Sequence, residues 1–353
     1  MKRSAWNLPL GMLCGIRVTV HGSFLILLAV VGVMQWVGSG SLVAASLGLA
    51  SILAIFGCVL LHELGHAIAA RRYGIGTRSI TLLPIGGIAQ LERMPEDPRQ
   101  ELVVALAGPA VNLAIAGAAF GVLQLASSTF LAPALSFLVA ANVILFAFNL
   151  LPAFPMDGGR VLRAGLAMRL GKVRATDIAA STGKLMAVAF AVLGFLFNPM
   201  LVLIALFVWF GASQEALWTR NRASLEGMTA SDAMTRDFHA VDARTPLRYA
   251  AEVMLGSPQK DYPVLDDGRI VGVLLRADVL RALSDRDARL VSDVMRSGAP
   301  PAQTNEPLGE VYRRLIGGPL SALPVVEGPH IVGWITREGV NEYVALRRRL
   351  GAA

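Results

Sequence analysis

Cysteine is almost absent: two in 353 residues, Cys14 and Cys58, with no CxxC pair. That excludes a disulfide framework and a thiolate metal site as organising features. Charge is scarce too, with Asp, Glu, Lys and Arg at 16%, and aromatics make up 7%. Acid is the scarcest charge where the chain is most apolar. Residues 1–223 hold 8 Asp/Glu against 16 Lys/Arg, whereas residues 224–353 hold 17 against 16. The chain is 54% hydrophobic with a mean hydropathy of +0.57, values of a membrane protein. The basic excess lies wholly in the apolar part. It therefore reads as a membrane-topology signal and not as a nucleic-acid footprint, and no nucleic-acid partner is expected.

Apolar runs define six expected transmembrane spans, at about 21–37, 42–70, 102–126, 130–151, 180–197 and 199–218. Lys2 and Arg3 ahead of an apolar run mimic a signal peptide, but further spans follow at once, so span one reads as uncleaved. Three turns between spans, Gly38 to Ser41, Ser127 to Thr129 and Asn198-Pro199, carry no charge. Every Lys and Arg of residues 1–223 falls at the opposite ends. Positive charge marks the cytoplasmic side, so both termini are expected there. His21, at the start of span one, reads as a polar helix-end residue.

Against this apolar background stands His62-Glu63-Leu64-Gly65-His66, with no charge from Leu42 to Leu61 before it. Two histidines four apart on a helix lie about 40° apart around its axis, close enough to grip one metal ion. Glu63 can then take a proton from water that the metal activates. Polar groups in an apolar helix are costly unless they are used. The motif lies near the basic, cytoplasmic end of span two, so its chemistry is placed inside the membrane.

Ile80 to Leu91 is too short to cross as a helix, and Pro84 with Gly86-Gly87 breaks one. It reads as two short strands around a turn, the second an edge strand able to pair with an extended chain. Ala107-Gly108-Pro109-Ala110-Val111-Asn112 permits close helix packing, and Asn112 is free to bond a neighbouring helix. Span four ends in Asn149-Leu-Leu-Pro152-Ala-Phe-Pro155-Met-Asp157-Gly158-Gly159-Arg160, where prolines and glycines are expected to unwind the helix around Asp157. The other acids of residues 1–223, Glu101 and Glu215 among them, read as lying in or beside polar loops. Glu63 and Asp157 alone fall in apolar surroundings. A buried carboxylate needs a cation, and a metal held by two histidines needs a third protein ligand, which Asp157 can supply.

Residues 228–346 contain a duplicated unit. Ala230-Ser-Asp-Ala-Met234 recurs as Val291-Ser-Asp-Val-Met295, Tyr262-Pro-Val-Leu265 as Leu323-Pro-Val-Val326, and Ile270-Val-Gly272 as Ile331-Val-Gly333, all displaced by 61 residues. Each copy reads as a helix, short apolar strands and a second helix. His239 and His330 read as surface histidines, and Arg347-Arg348-Arg349 as a solvated helix face. The expected division is 1–223, 224–286 and 287–353.

His-Glu-x-x-His together with Asn-x-x-Pro-x-x-Pro-x-Asp-Gly resembles the site-2 protease family of intramembrane zinc metalloproteases, over about residues 15–215. The resemblance implies an α-helical multi-span membrane protein that binds one zinc per chain through His62, His66 and Asp157. It implies Glu63 as catalytic base and Asn149 as the residue that helps hold the scissile carbonyl. The substrate would be a membrane-anchored protein cut in or near the bilayer, that is, regulated intramembrane proteolysis. No loop between spans is long enough for an inserted PDZ-type domain. The compact span plan implies a bacterial or archaeal cell (inner) membrane.

The duplicated unit resembles a tandem pair of CBS domains, an α/β module that commonly binds adenine nucleotides and pairs as dimers. ATP or AMP at the pair, and a homodimer through it, are the implied ligand and assembly. Of the family's Gly-x-x-Thr-x-x-Asp ribose motif, the first copy keeps Asp278 with Leu275 in place of Thr, and the second keeps Thr336 with Gly339 in place of Asp. Ligand sensing and a purely structural or dimerising role both remain open. Two other readings of the whole stay open as well: a CBS-regulated membrane metal transporter, and a non-catalytic membrane scaffold.

Overall fold

A computed structural model describes residues 6–125, 131–283, 290–298, 300–318 and 320–350. The chain separates into two compact units, Met1–Thr219 and Arg220–Ala353.

The first unit begins with a hairpin, β1 (Asn7–Leu13) and β2 (Ile16–His21), turning at Cys14 and Gly15. Then come α1 (Gly22–Ser39), α2 (Leu42–Arg71), β3 (Thr77–Leu83), β4 (Gly86–Leu91), α3 (Pro98–Leu125), α4 (Ala132–Asn149), α5 (Asp157–Leu170), α6 (Lys172–Leu196) and α7 (Met200–Ala223). Six of these helices, all but α5, are long and apolar enough to cross a membrane. Their outer faces expose Leu25, Val33, Met34, Leu47, Ile144 and Phe195. Such faces suit lipid, and a helix satisfies its own backbone there. The expected turn at Ser127 to Thr129 lies outside the described residues.

The strands expected between spans two and three are β3 and β4, joined through Pro84-Ile85. They belong to a four-stranded sheet ordered β1-β2-β3-β4, in which β2 and β3 run parallel and the other pairs antiparallel. Ile16 and Ile80 pack on Leu64 and Ala67 of α2. The sheet thus lies along the helix that carries the histidines, with β4 at its edge.

Three expectations are corrected. Asp157 does not sit on an unwound helix end: it is the first residue of α5, with Met156 as N-cap. Gly158 and Gly159 do not break a helix there, because they belong to its first turn. A Cβ on Gly158 would run into the carbonyls of Leu150 and Leu151, and one on Gly159 would stand 2.7 Å from the Phe154 nitrogen. The two glycines let α5 fold tightly back onto the end of α4. Span five starts earlier than the apolar run does, since α6 begins at Lys172. Finally, Glu101 is no loop residue. It is 6% exposed in α3 and pairs with Arg163 of α5, itself 2% exposed, which also pairs with Glu215 of α7. Breaking such a buried ion set typically costs about 3–5 kcal/mol, because it strands uncompensated charge. The set fastens α5 between α3 and α7.

The second unit keeps the duplication. Its first copy is α8 (Ala230–Ala233), β5 (Val241–Asp242), α9 (Leu247–Leu255), β6 (Asp261–Asp266), β7 (Arg269–Leu275) and α10 (Arg276–Ala282). Its second is α11 (Val291–Val294), β8 (Ala302–Gln303), α12 (Leu308–Gly317), β9 (Ala322–Glu327), β10 (His330–Thr336) and α13 (Arg337–Arg349). Every element of the second copy begins 61 residues after its counterpart. The copies clasp each other: Thr235 bridges to Trp334 while Val273 bridges to Arg296, the same pair of positions exchanged. Each core is accordingly mixed. Ala230 and Ala233 lie among the apolar residues of the second copy, and Val291 among those of the first.

Candidate metal centre

The helical period places His62 and His66 on one face of α2, and both are 5% exposed. The tight α4–α5 connection brings Asp157, 7% exposed, opposite them. Three atoms converge: His62 Nε2, His66 Nε2 and Asp157 Oδ2, each 3.1 Å from the other two. His66 Nδ1 lies 2.7 Å from the Val104 carbonyl, so it carries the proton and donates it there. The other three contacts join two imidazole nitrogens and a carboxylate oxygen, atoms whose lone pairs can all face one cation.

The donor set, two imidazoles and one carboxylate, is that of a catalytic zinc site, and tetrahedral zinc spaces its ligand atoms by about 3.3 Å. Room for the ion comes from α3. A Cβ on Gly108 would stand 2.7 Å from His62 Nε2 and closer still to His66 Nε2. The residues present therefore fit zinc. Among the described residues this is the one His/Cys/Asp/Glu group with such convergence.

Glu63 lies to one side, against the sheet. Its Oε2 accepts from the Ala89 N–H of β4 at 3.2 Å. The edge strand thereby touches the carboxylate beside the two histidines. Asn149, the last residue of α4, is turned back on its own helix and donates to the Leu145 carbonyl at 3.0 Å. His21 caps α1, accepting from the Ser23 N–H, and its ring stacks on Trp6. Sequence reasoning missed the Val104 carbonyl and the Arg163 ion set. A backbone acceptor leaves no trace in residue identity. Arg163 is one of three arginines between Asp157 and Leu170, and nothing in the sequence sets it apart from Arg160 and Arg169.

In the second unit, Asp278 is held by a two-pronged pair with Arg296, at 2.6 Å to Nε and 3.0 Å to Nη2, and by Arg281 at 3.2 Å. The Arg296 hydrogen bond holds the Asp278 carboxyl below the usual carboxylate range and raises Arg296 in turn. Thr336 caps α13, its hydroxyl accepting from the Gly339 N–H at 2.9 Å. Both expected ribose contacts thus have partners within the chain.

The family model of peptidase family M50 matches residues 50–135 and 124–193, and the CBS domain model matches 230–285 and 291–346. A zinc metalloprotease of Methanocaldococcus jannaschii is 34% identical over 342 residues, 95% of this chain and 95% of its own. Rip3 of Mycobacterium tuberculosis, also named as a zinc metalloprotease, is 32% identical over 375 residues, 97% of this chain and 93% of its own. A solved structure of a site-2 protease from Methanocaldococcus jannaschii aligns at 39% identity with 60% of this chain and 95% of that one, with a TM-score of 0.47. With relatives of this similarity along nearly its whole length, the chain belongs to the site-2 protease family of zinc metalloproteases, multi-pass membrane proteins, and carries a C-terminal tandem CBS pair.

Proposed function

We propose that this protease hydrolyses a peptide bond in or near the transmembrane segment of a membrane-anchored protein. One zinc per chain would be held by His62, His66 and Asp157, with Glu63 as general base. The observation that carries the reading is the meeting of two imidazoles from an apolar span with the Asp157 carboxylate of α5, one residue from Glu63. Zinc in that site supplies Lewis acidity, which makes water a competent nucleophile near neutral pH. Glu63, adjacent to His62 and held by Ala89, takes the proton of the attacking water and returns it to the leaving amine. Asn149 serves as a hydrogen-bond donor to the oxygen on which charge develops, exchanging its bond to Leu145 for that one.

A transmembrane helix hides its carbonyls in its own hydrogen bonds, so the substrate must open locally. The edge strand β4 offers an opened segment a partner for its backbone, next to Glu63. Charge segregation supports a cytoplasmic side for both termini and the CBS pair, and with that orientation the cut releases a cytoplasmic portion. Chelation tests the reading. In liposomes with a membrane-anchored substrate, stripping zinc should stop cleavage and restoring it should bring cleavage back. Cleavage that persists in the zinc-free protein refutes it.

For the CBS pair we propose adenine-nucleotide sensing and pairing with a second copy. Asp278 is the contact for the ribose, and a nucleotide must displace Arg296 from it, freeing a guanidinium for the phosphate. Titration of AMP or ATP into the full chain should show saturable binding that Asp278→Ala weakens. If neither nucleotide binds the wild type, the pair has only its structural or dimerising role.

A further inference from the structure

A metal-bound histidine is held by two atoms, since the ring nitrogen that does not face the metal normally donates its proton to a fixed acceptor. His66 meets that requirement through the Val104 carbonyl. His62 does not: its Nδ1 is buried and has no hydrogen-bond partner among the described residues.

Two asparagines lie in the same apolar interior. Asn112 of α3 is 0% exposed, and neither its side-chain oxygen nor its nitrogen has a partner among the described residues. Asn142 of α4 is also 0% exposed; its nitrogen reaches the Leu138 carbonyl at 2.9 Å and Cys58 Sγ at 3.3 Å, but its oxygen has no partner among the described residues. Helix register places these groups at one level. α3 runs antiparallel to α2 at the crossing: Val104 meets His66, Ala107 and Val111 meet Gly65, and Gly108 meets both histidines. Asn112 stands one turn past Gly108 on the same face of α3. It is therefore level with the turn of α2 that precedes His62, the turn containing Cys58. Helical side chains lean toward the N-terminus of their helix, so the His62 ring leans toward that level. Asn142 arrives there from the third helix, at Cys58.

Polar groups this deeply buried are rarely left unpaired, least of all within a span. We infer that Asn112, with Asn142 beside it, supplies the hydrogen-bond acceptor for His62 Nδ1–H and so fixes the ring with Nε2 toward the metal. Asn112 is then a positioning residue of the centre, acting through His62. The inference rests on the metal site proposed above. It also names the partner for the interhelical hydrogen bond that the sequence assigns to Asn112.

The test is the zinc affinity of the detergent-purified full chain, measured by competition with a chromogenic chelator. Asn112→Leu keeps the approximate volume and removes the acceptor. It should bind zinc about 10–100-fold more weakly, the usual effect of losing an outer partner of a ligating histidine. Asn112→Asp keeps an acceptor and should stay close to wild type. If Asn112→Leu does not fold, Asn112→Ala takes its place with the same expected loss. Wild-type affinity in the leucine variant would overturn the inference. So would equal weakening in the leucine and aspartate variants, which would make Asn112 a packing residue. A wild-type chain that binds no zinc, or His62→Ala with zinc affinity unchanged, would overturn the metal site itself and this assignment with it.

Discussion

Glu63→Gln is expected to lower proteolysis by about 10²–10⁴-fold, the usual worth of a positioned general base, while leaving bound zinc at its wild-type level. The substitution is nearly isosteric. A glutamine oxygen can still accept from the Ala89 N–H, so the contact between α2 and β4 survives. The amide cannot take a proton from water. Glu63 donates no atom to the convergent trio, so the set that would hold the metal is untouched. The readouts are the cleavage rate in liposomes and the zinc content of the same preparation. Undiminished cleavage in the variant would remove Glu63 from the mechanism. Loss of zinc along with activity would mean instead that Glu63 maintains the metal site, and the base would have to be sought elsewhere. The experiment also separates proteolysis from metal transport, because a transit site has no use for a base at this position.

How much of this was legible in the sequence depended on whether the determinant was local. The common face of His62 and His66 follows from a four-residue spacing in a helix, which any apolar run of that length already implies. The duplication was equally open to reading. Matched residues keep a 61-residue offset, and so do the first residues of all six elements in each copy. The β3–β4 hairpin announced itself through Pro84 and the paired glycines.

What escaped was non-local. The alternation of Ile16, Val18 and Val20 marks β2 locally, but its parallel pairing with β3, about sixty residues away, leaves no local trace, and β1 is exposed along its whole length and interrupted by Pro9 and Gly11. Gly158-Gly159 carries two signals at once, chain breaking and close packing. Only the carbonyls of Leu150 and Leu151 decide which of them applies. Glu101 and Glu215 looked like loop acids because their partner, Arg163, lies on a different helix from either. The same holds for Asp278, whose partner Arg296 belongs to the other copy of the repeat.

Asp157→Ala should leave the protein folded but largely without zinc. One donor of three is removed, so the loss should exceed the 10–100-fold that follows when only a hydrogen bond to a ligand is lost. Folding should survive because other contacts hold α5. Its glycines pack on the end of α4, and Arg163 ties it to Glu101 and Glu215. Near one zinc per chain in wild type, largely lost in the variant, would show that α2 and the start of α5 meet at one metal ion. Zinc retained at wild-type affinity would mean that Asp157 is not a ligand. His62 and His66 would then need a third donor, and Glu63, one position along and now turned toward Ala89, would be the residue to test.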